Sequence, residues 1–241
     1  MNDSMAERRE LINKVVVYLE GYMKRYDGSH DFTHLQRVVG LSQTIYDQLQ
    51  TSSAPTSSST QQPALDPTVI TLSALLHDVG DNKYLAEGED PKTMVRDVLL
   101  GFGAEKSLAD KIQAICTGVS FTSEIKDVDH VKRLIAEHPE LAVVQDADRI
   151  DAMGAVGVGR LFTYGGAVMK RGMESSMSAF ESKLFARGPM MKTEPGKQMA
   201  KQRMEILRTF RGWWDEEVKI AVVGASILSS AAEQEKEKEH T

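Results

Sequence analysis

The stretch SALLHDVGDNKY, residues 73–84, decides how this chain is read. Small and apolar side chains run without a break into His77 and Asp78, and a glycine and polar residues follow. A segment built for burial thus ends in an imidazole and a carboxylate. Taken alone, the pair is a helix cap followed by a solvated loop. It becomes chemistry only if other segments supply partners.

Helical periodicity surrounds it. Leu11, Val15, Val16, Leu19, Tyr22 and Met23 keep the three-and-four spacing of one helix face between Glu7 and Met23. YDGSHD, residues 26–31, breaks that pattern, and a second helix is expected over Asp31–Leu49 with Phe32, Leu35, Val38, Val39, Ile45 and Leu49 as its apolar positions. Asp66 and Pro67 form an N-cap and first-turn pair for a third helix that ends near Asp78, with Gly80 as its stop. Asp90 and Pro91 repeat the signal for a fourth, and a fifth is expected from about Glu105 to Gly118. Pro139 opens a longer one that runs through ELAVVQDADRIDAMGAVGVGRLF, residues 140–162. Within it Gly154, Gly157 and Gly159 each cost about 1 kcal/mol relative to alanine, a cost that close approach of a neighbouring helix offsets. Lys197–Val218 is a last amphipathic helix, and EQEKEKEHT, residues 233–241, reads as a solvated, fraying tail.

No segment alternates with the period of a strand, so the expectation is an all-α, single-domain bundle over residues 1–220, with a helix end and charged tail at 221–241. Residues 51–65, rich in Ser, Thr, Gln and Pro, lack the apolar groups that offset ordering entropy and are expected to form a disordered insertion between the second and third helices.

Bulk properties narrow the function classes. A formal net charge of −6 argues against stable nucleic-acid binding but leaves room for a small anionic substrate held by a few local cations. No apolar run approaches the roughly 20 residues of a membrane span. The single cysteine, Cys116, rules out an intramolecular disulfide, and residues 1–10 carry charges where a signal peptide has its apolar stretch. The expected location is therefore the cytoplasm, with a nuclear presence left open, and the oligomeric state, a homodimer included, is undetermined.

Partners for the doublet come from two other helices. His34 and Arg37 share a face of the second helix, with His30 one turn earlier if the helix starts soon enough. After Pro139, Asp148 and Asp151 lie three apart on a face that continues to Ala152 and Ala155, an apolar setting in which a lone carboxylate is costly. His34, His77, Asp78 and Asp148 then make a mixed nitrogen and oxygen set. Such a set suits one divalent ion, Mn²⁺ first, with Co²⁺, Fe²⁺, Mg²⁺ and Ni²⁺ as alternatives, and not a structural zinc site built on cysteines.

SHDFTHLQRV (29–38), LSALLHDVGDNKY (72–84) and VVQDADRIDAMGAVGVGR (143–160) together resemble the HD-domain superfamily of metal-dependent phosphohydrolases, named for the doublet seen here as His77 and Asp78. Within it the chain is similar to small single-domain hydrolases of bacteria and fungi that act on nucleotides. FESKLFARGPMMKTEPGKQMAKQR (180–203) extends the likeness through the Glu-x-Lys-Leu and Thr-Glu-x-Gly segments. The resemblance implies an all-helical fold, a metal held by His34, His77, Asp78 and Asp148, and a phosphate anhydride or ester as substrate, with a nucleoside triphosphate pyrophosphohydrolase favoured. It also selects Asp148 over Asp146, which points about 200° away on the same helix.

Around that set, Arg37 and Lys83 are candidates for holding substrate phosphate. His30, Asp81 and Asp151 are candidates for orienting or deprotonating the attacking water, and spacing does not choose among them. Arg149 points about 100° from Asp148 and is expected to support the ligands through an ion pair. Alternatives are a nucleoside 5′-monophosphate phosphatase or a phosphodiesterase. From other classes come a di-iron oxygenase, which needs a second set of ligands, and a catalytically silent metal-binding regulator.

Overall fold

In the computed structural model of the protein the described residues are 2–52 and 64–239, with side chains described for 5–52 and 64–230. Thirteen α-helices and no strand occur among them. They are α1 (Asn2–Tyr22), α2 (Phe32–Ser52), α3 (Pro67–Leu76), α4 (Met94–Gly101), α5 (Lys106–Val119), α6 (Phe121–Lys126), α7 (Val128–Glu137), α8 (Glu140–Asp151), α9 (Gly154–Ala167), α10 (Met173–Met177), α11 (Phe180–Lys183), α12 (Glu194–Glu217) and α13 (Ile220–Glu239). The all-α expectation holds. The insertion expected at 51–65 falls, for residues 53–63, outside the described residues, while Thr51 and Ser52 complete α2.

Helix α3 is the hub. Val69, Ile70, Leu72, Ser73, Ala74, Leu75 and Leu76 are all buried, because α1, α2, α5 and α8 pack around it. Its start is fixed as the sequence indicates: the Asp66 carboxylate accepts from the Thr68 amide at 2.7 Å, with Pro67 in the first turn. Its end is fixed by Gly80 at φ +83°, a conformation that favours glycine, with Pro91 Cα only 3.1 Å from where a Cβ would stand. His77 and Asp78 are therefore delivered at one defined point, the tip of a helix packed on four sides.

The helix expected from Pro139 through Phe162 is two. It breaks at Ala152 and Met153, where Gly154 takes φ +65° and α9 sets off in a new direction. Two of its three glycines are explained by this corner. A Cβ on Gly154 would meet Arg203 Cδ at 2.7 Å, and one on Gly157 would meet the Ala152 carbonyl oxygen at 2.4 Å. Gly159 has nothing near it, so the close approach expected there is absent. Helices α6 and α7, in a stretch for which the sequence placed no element, pack on α5. The tail read as fraying is helical in its backbone through Glu239, as part of α13. No helix of the described residues is long and apolar enough to cross a membrane.

Candidate metal centre

Three chain segments converge on one small volume. His34 sits in the first turn of α2, held there by the Asp31 side chain, which accepts from the His34 amide at 3.1 Å. His77 and Asp78 leave the tip of α3, and the Tyr26 hydroxyl donates to the Asp78 carbonyl at 2.6 Å. Asp148 comes from the penultimate turn of α8. A donor atom from each of His34, His77 and Asp148 lies within 4.8 Å of the others. Asp78 adds its Oδ2 at 3.4 Å from His34 Nε2 and its Oδ1 at 3.4 Å from His77 Nε2.

The protonation pattern decides what this cluster can hold. His77 Nδ1 lies 2.8 Å from the Ala74 carbonyl oxygen, which can only accept, so Nδ1 carries the hydrogen. His34 Nδ1 likewise faces the Asp151 carboxylate at 2.8 Å. Both Nε2 atoms are thereby left as lone pairs, and they face each other at 3.3 Å. Asp148 Oδ1 stands 3.7 Å from each of them. Asp78 Oδ2 is buried with no hydrogen-bond partner. Four acceptors pointed at one another in a largely buried site repel unless a cation lies among them. The surrounding carboxylates favour protons on these imidazoles, which an ion bound at Nε2 would displace. Burial and Arg160 push the His34 pKa down, yet Asp151 and Asp78 outweigh them and the net shift is upward. Burial would raise the Asp78 pKa, but His77 and His34 hold it well below the carboxylate range. Two imidazoles and two carboxylates are a donor set that fits a borderline divalent ion.

Asp151 closes the centre from behind. It accepts from His34 Nδ1, from Arg37 Nε at 2.6 Å and from Arg160 Nη1 at 2.8 Å. Those hydrogen bonds hold its pKa far below the carboxylate range in spite of burial, so it is a fixed anion that orients the His34 ring.

The remaining expected residues fall in different places. Arg37, expected to hold substrate phosphate, has Nε and Nη2 on Asp151 and Nη1 on Thr33. Lys83 pairs with Asp81 at 3.0 Å and lies 5.9 Å from the Tyr164 ring centroid. Asp81 is occupied by that pair and by the Lys83 amide. His30 precedes α2. Its ring stacks edge-on to His34 with centroids 5.9 Å apart, but Nδ1 is engaged by Ser29 Oγ at 2.6 Å, and burial lowers its pKa to about 4. Arg149 makes its ion pair with Glu124, not with a residue of the centre. Arg160 is the member the sequence did not reveal, because on an unbroken helix it would stand about 14 Å along the axis from Asp151. The corner at Gly154 folds it back. His130 and His138 join no ligand cluster among the described residues.

An all-helical bundle with a His-Asp doublet at the tip of its central helix, facing a histidine and an aspartate from two neighbours, defines the HD class of metal-dependent hydrolases. The chain belongs to the HD domain family, whose model matches residues 31–153, from just before α2 to the corner after α8. It is 28% identical over 203 residues to the uncharacterized protein YpgQ of Bacillus subtilis (strain 168), spanning 82% of this chain and 88% of that one. A crystal structure of YpgQ in complex with ADP superposes with a TM-score of 0.64 at 24% identity, over 88% of this chain and 96% of the other. An HD-superfamily hydrolase from Bacillus thuringiensis superposes with a TM-score of 0.61 at 24% identity, over 88% and 98%. At these identities the superpositions establish a shared fold.

Proposed function

We propose that the protein is a divalent-metal-dependent phosphohydrolase acting on a nucleotide, with a nucleoside triphosphate cleaved to release pyrophosphate as the favoured reaction. The observation that carries this reading is the pair of Nε2 atoms 3.3 Å apart beside the orphaned Asp78 Oδ2. His34, His77, Asp78 and Asp148 are the residues that would hold the ion. A divalent cation supplies Lewis acidity toward a phosphoryl oxygen and lowers the pKa of water. The chain's own groups do the rest. Asp151 and the Ala74 carbonyl fix the two imidazoles in the tautomer that presents Nε2. Burial of His34 and His77 keeps bulk water from that side, and the Asp148 side chain, 22% exposed, marks the side open to substrate. Lys83, above the doublet and beside Tyr164, is the cation of the open rim suited to a phosphate chain. The ADP complex of YpgQ, a relative of the same fold, supports a nucleotide as the ligand.

The test is a screen of phosphorylated metabolites with added Mn²⁺ that reads phosphate and pyrophosphate separately. Pyrophosphate from triphosphates fits the favoured reaction, and phosphate from monophosphates would replace it with a phosphatase. Mn²⁺ or Co²⁺ should restore more activity to metal-stripped protein than Ca²⁺, since imidazole is a poor ligand for calcium. Full turnover in excess chelator, with metal analysis showing an empty site, defeats the reading.

A further inference from the structure

Most of the described cations around the centre are neutralised by carboxylates. Arg37 and Arg160 are held by Asp151, Lys83 by Asp81, and Arg149 and Lys192 by Glu124. Arg187 has no such partner among the described residues, and its Nη1 is buried without a hydrogen bond. The guanidinium carbon lies 4.9 Å from the centroid of the Phe121 ring, a stack that positions the group without neutralising it. Arg187 stands on the 3-10 segment Phe185–Met190, which packs against α8. The carboxylate whose field it feels is that of Asp148, the most exposed of the four cluster residues. Arg160 and Arg149 repel it.

A guanidinium nitrogen buried without a partner is a standing cost, and an aliphatic side chain would fill the same space against Phe121 more cheaply. Burial lowers its pKa to about 10, so it stays charged at neutral pH. An anion arriving on the Asp148 side would relieve that cost, and the guanidinium fork matches phosphate oxygens in pairs.

We propose that Arg187 is a substrate-binding residue that receives phosphate oxygens of the nucleotide on the Asp148 side of the centre. This rests on the nucleotide reading above. Sequence spacing gave no sign of it, because Arg187 lies 39 positions beyond Asp148 on a segment with no helical period.

The test uses the full chain loaded with Mn²⁺ and titrated calorimetrically with a nucleoside triphosphate whose α,β bridge is methylene. Metal content and melting temperature are measured alongside for wild type, Arg187→Met and Arg187→Lys. Arg187→Met should keep its metal and its melting temperature while binding the analogue at least about tenfold more weakly, the worth of a charge-assisted hydrogen bond. Arg187→Lys should fall between, because it restores charge but not the fork. Equal affinity in Arg187→Met and wild type overturns the inference and leaves the nucleotide reading standing. A metal-loaded wild type that binds no analogue removes that reading, and the inference with it. A fall in melting temperature at unchanged affinity assigns Arg187 to packing on Phe121. Should Arg187→Met fail to fold, wild-type affinity in a folded Arg187→Lys overturns the proposal on its own.

Discussion

Helix α8 carries four charged residues after Gln145, and its two sides treat them in opposite ways. On one, the Asp146 carboxylate accepts from the Lys192 amide at 2.8 Å and from the Thr193 amide and hydroxyl at 2.7 Å each, and Arg149 pairs with Glu124 and donates to the Met190 carbonyl at 3.1 Å. Of the polar atoms of Asp146 and Arg149, Arg149 Nε alone lacks a partner. On the other, Asp148 meets two imidazole lone pairs at 3.7 Å, and the Asp78 oxygen beside it accepts nothing. Both sides are buried and both are polar. The difference is whether the protein supplies its own donors. A network completed from within fastens the chain, here tying the start of α12 to α8. A network of acceptors left incomplete is held ready for something from outside.

The contrast is broken most directly at Asp148. Asp148→Ala should lose its metal on dialysis and its turnover at saturating Mn²⁺. Metal content after dialysis, paired with turnover, checks both. Retained metal would move the centre off this side of α8.

Asp151 sharpens the same comparison, because it lies on the acceptor-rich side yet is fully supplied with donors. Asp151→Asn keeps the shape but withdraws the charge that orients His34. The expected outcome is a variant that still binds metal and turns over roughly 10 to 100 times more slowly, the usual scale for a group that positions a ligand. A rate within twofold of wild type would show that His34 needs no such support.

How much of this could be read beforehand follows from distance along the chain. The hub helix, its Asp66 cap and its Gly80 stop are local signals and were legible. The convergence of His34, His77, Asp78 and Asp148 was legible too, since each lies in a short segment whose periodicity assigns it a face, though it was the resemblance that selected Asp148 over Asp146. Arg160 was not, since its place depends on the corner at Gly154, and the apolar pattern before and after that corner has the same period. The employment of Arg37 also escaped: helical spacing shows that it shares a face with His34 but not that Asp151 would claim both of them. Arg187 belongs to a segment stitched to the bundle by tertiary contacts alone, and for such residues a sequence offers no geometry.

The smallest expected effect lies on the completed side, at Asp146. Substitution to Asn leaves one carbonyl oxygen for donors that now reach two oxygens, so one bond is lost and an amide group is turned toward a backbone N–H. That costs about 1 to 3 kcal/mol, or roughly 2 to 12 °C in a chain of this size. Thr193 also caps α12 by accepting from the Gly196 amide at 3.0 Å, so the loosening is expected first at the start of that helix. Gly196 itself leaves no slack, since a Cβ there would lie 2.2 Å from Asp146 Oδ2. Metal content should not change, because Asp146 points about 200° away from Asp148 around the helix. Thermal melting and metal analysis of Asp146→Asn therefore give one shifted and one unshifted reading. The reverse pattern, with metal lost and melting unchanged, would mean that the donors around Asp146 do not fasten the fold and that α8 presents its other side to the ion.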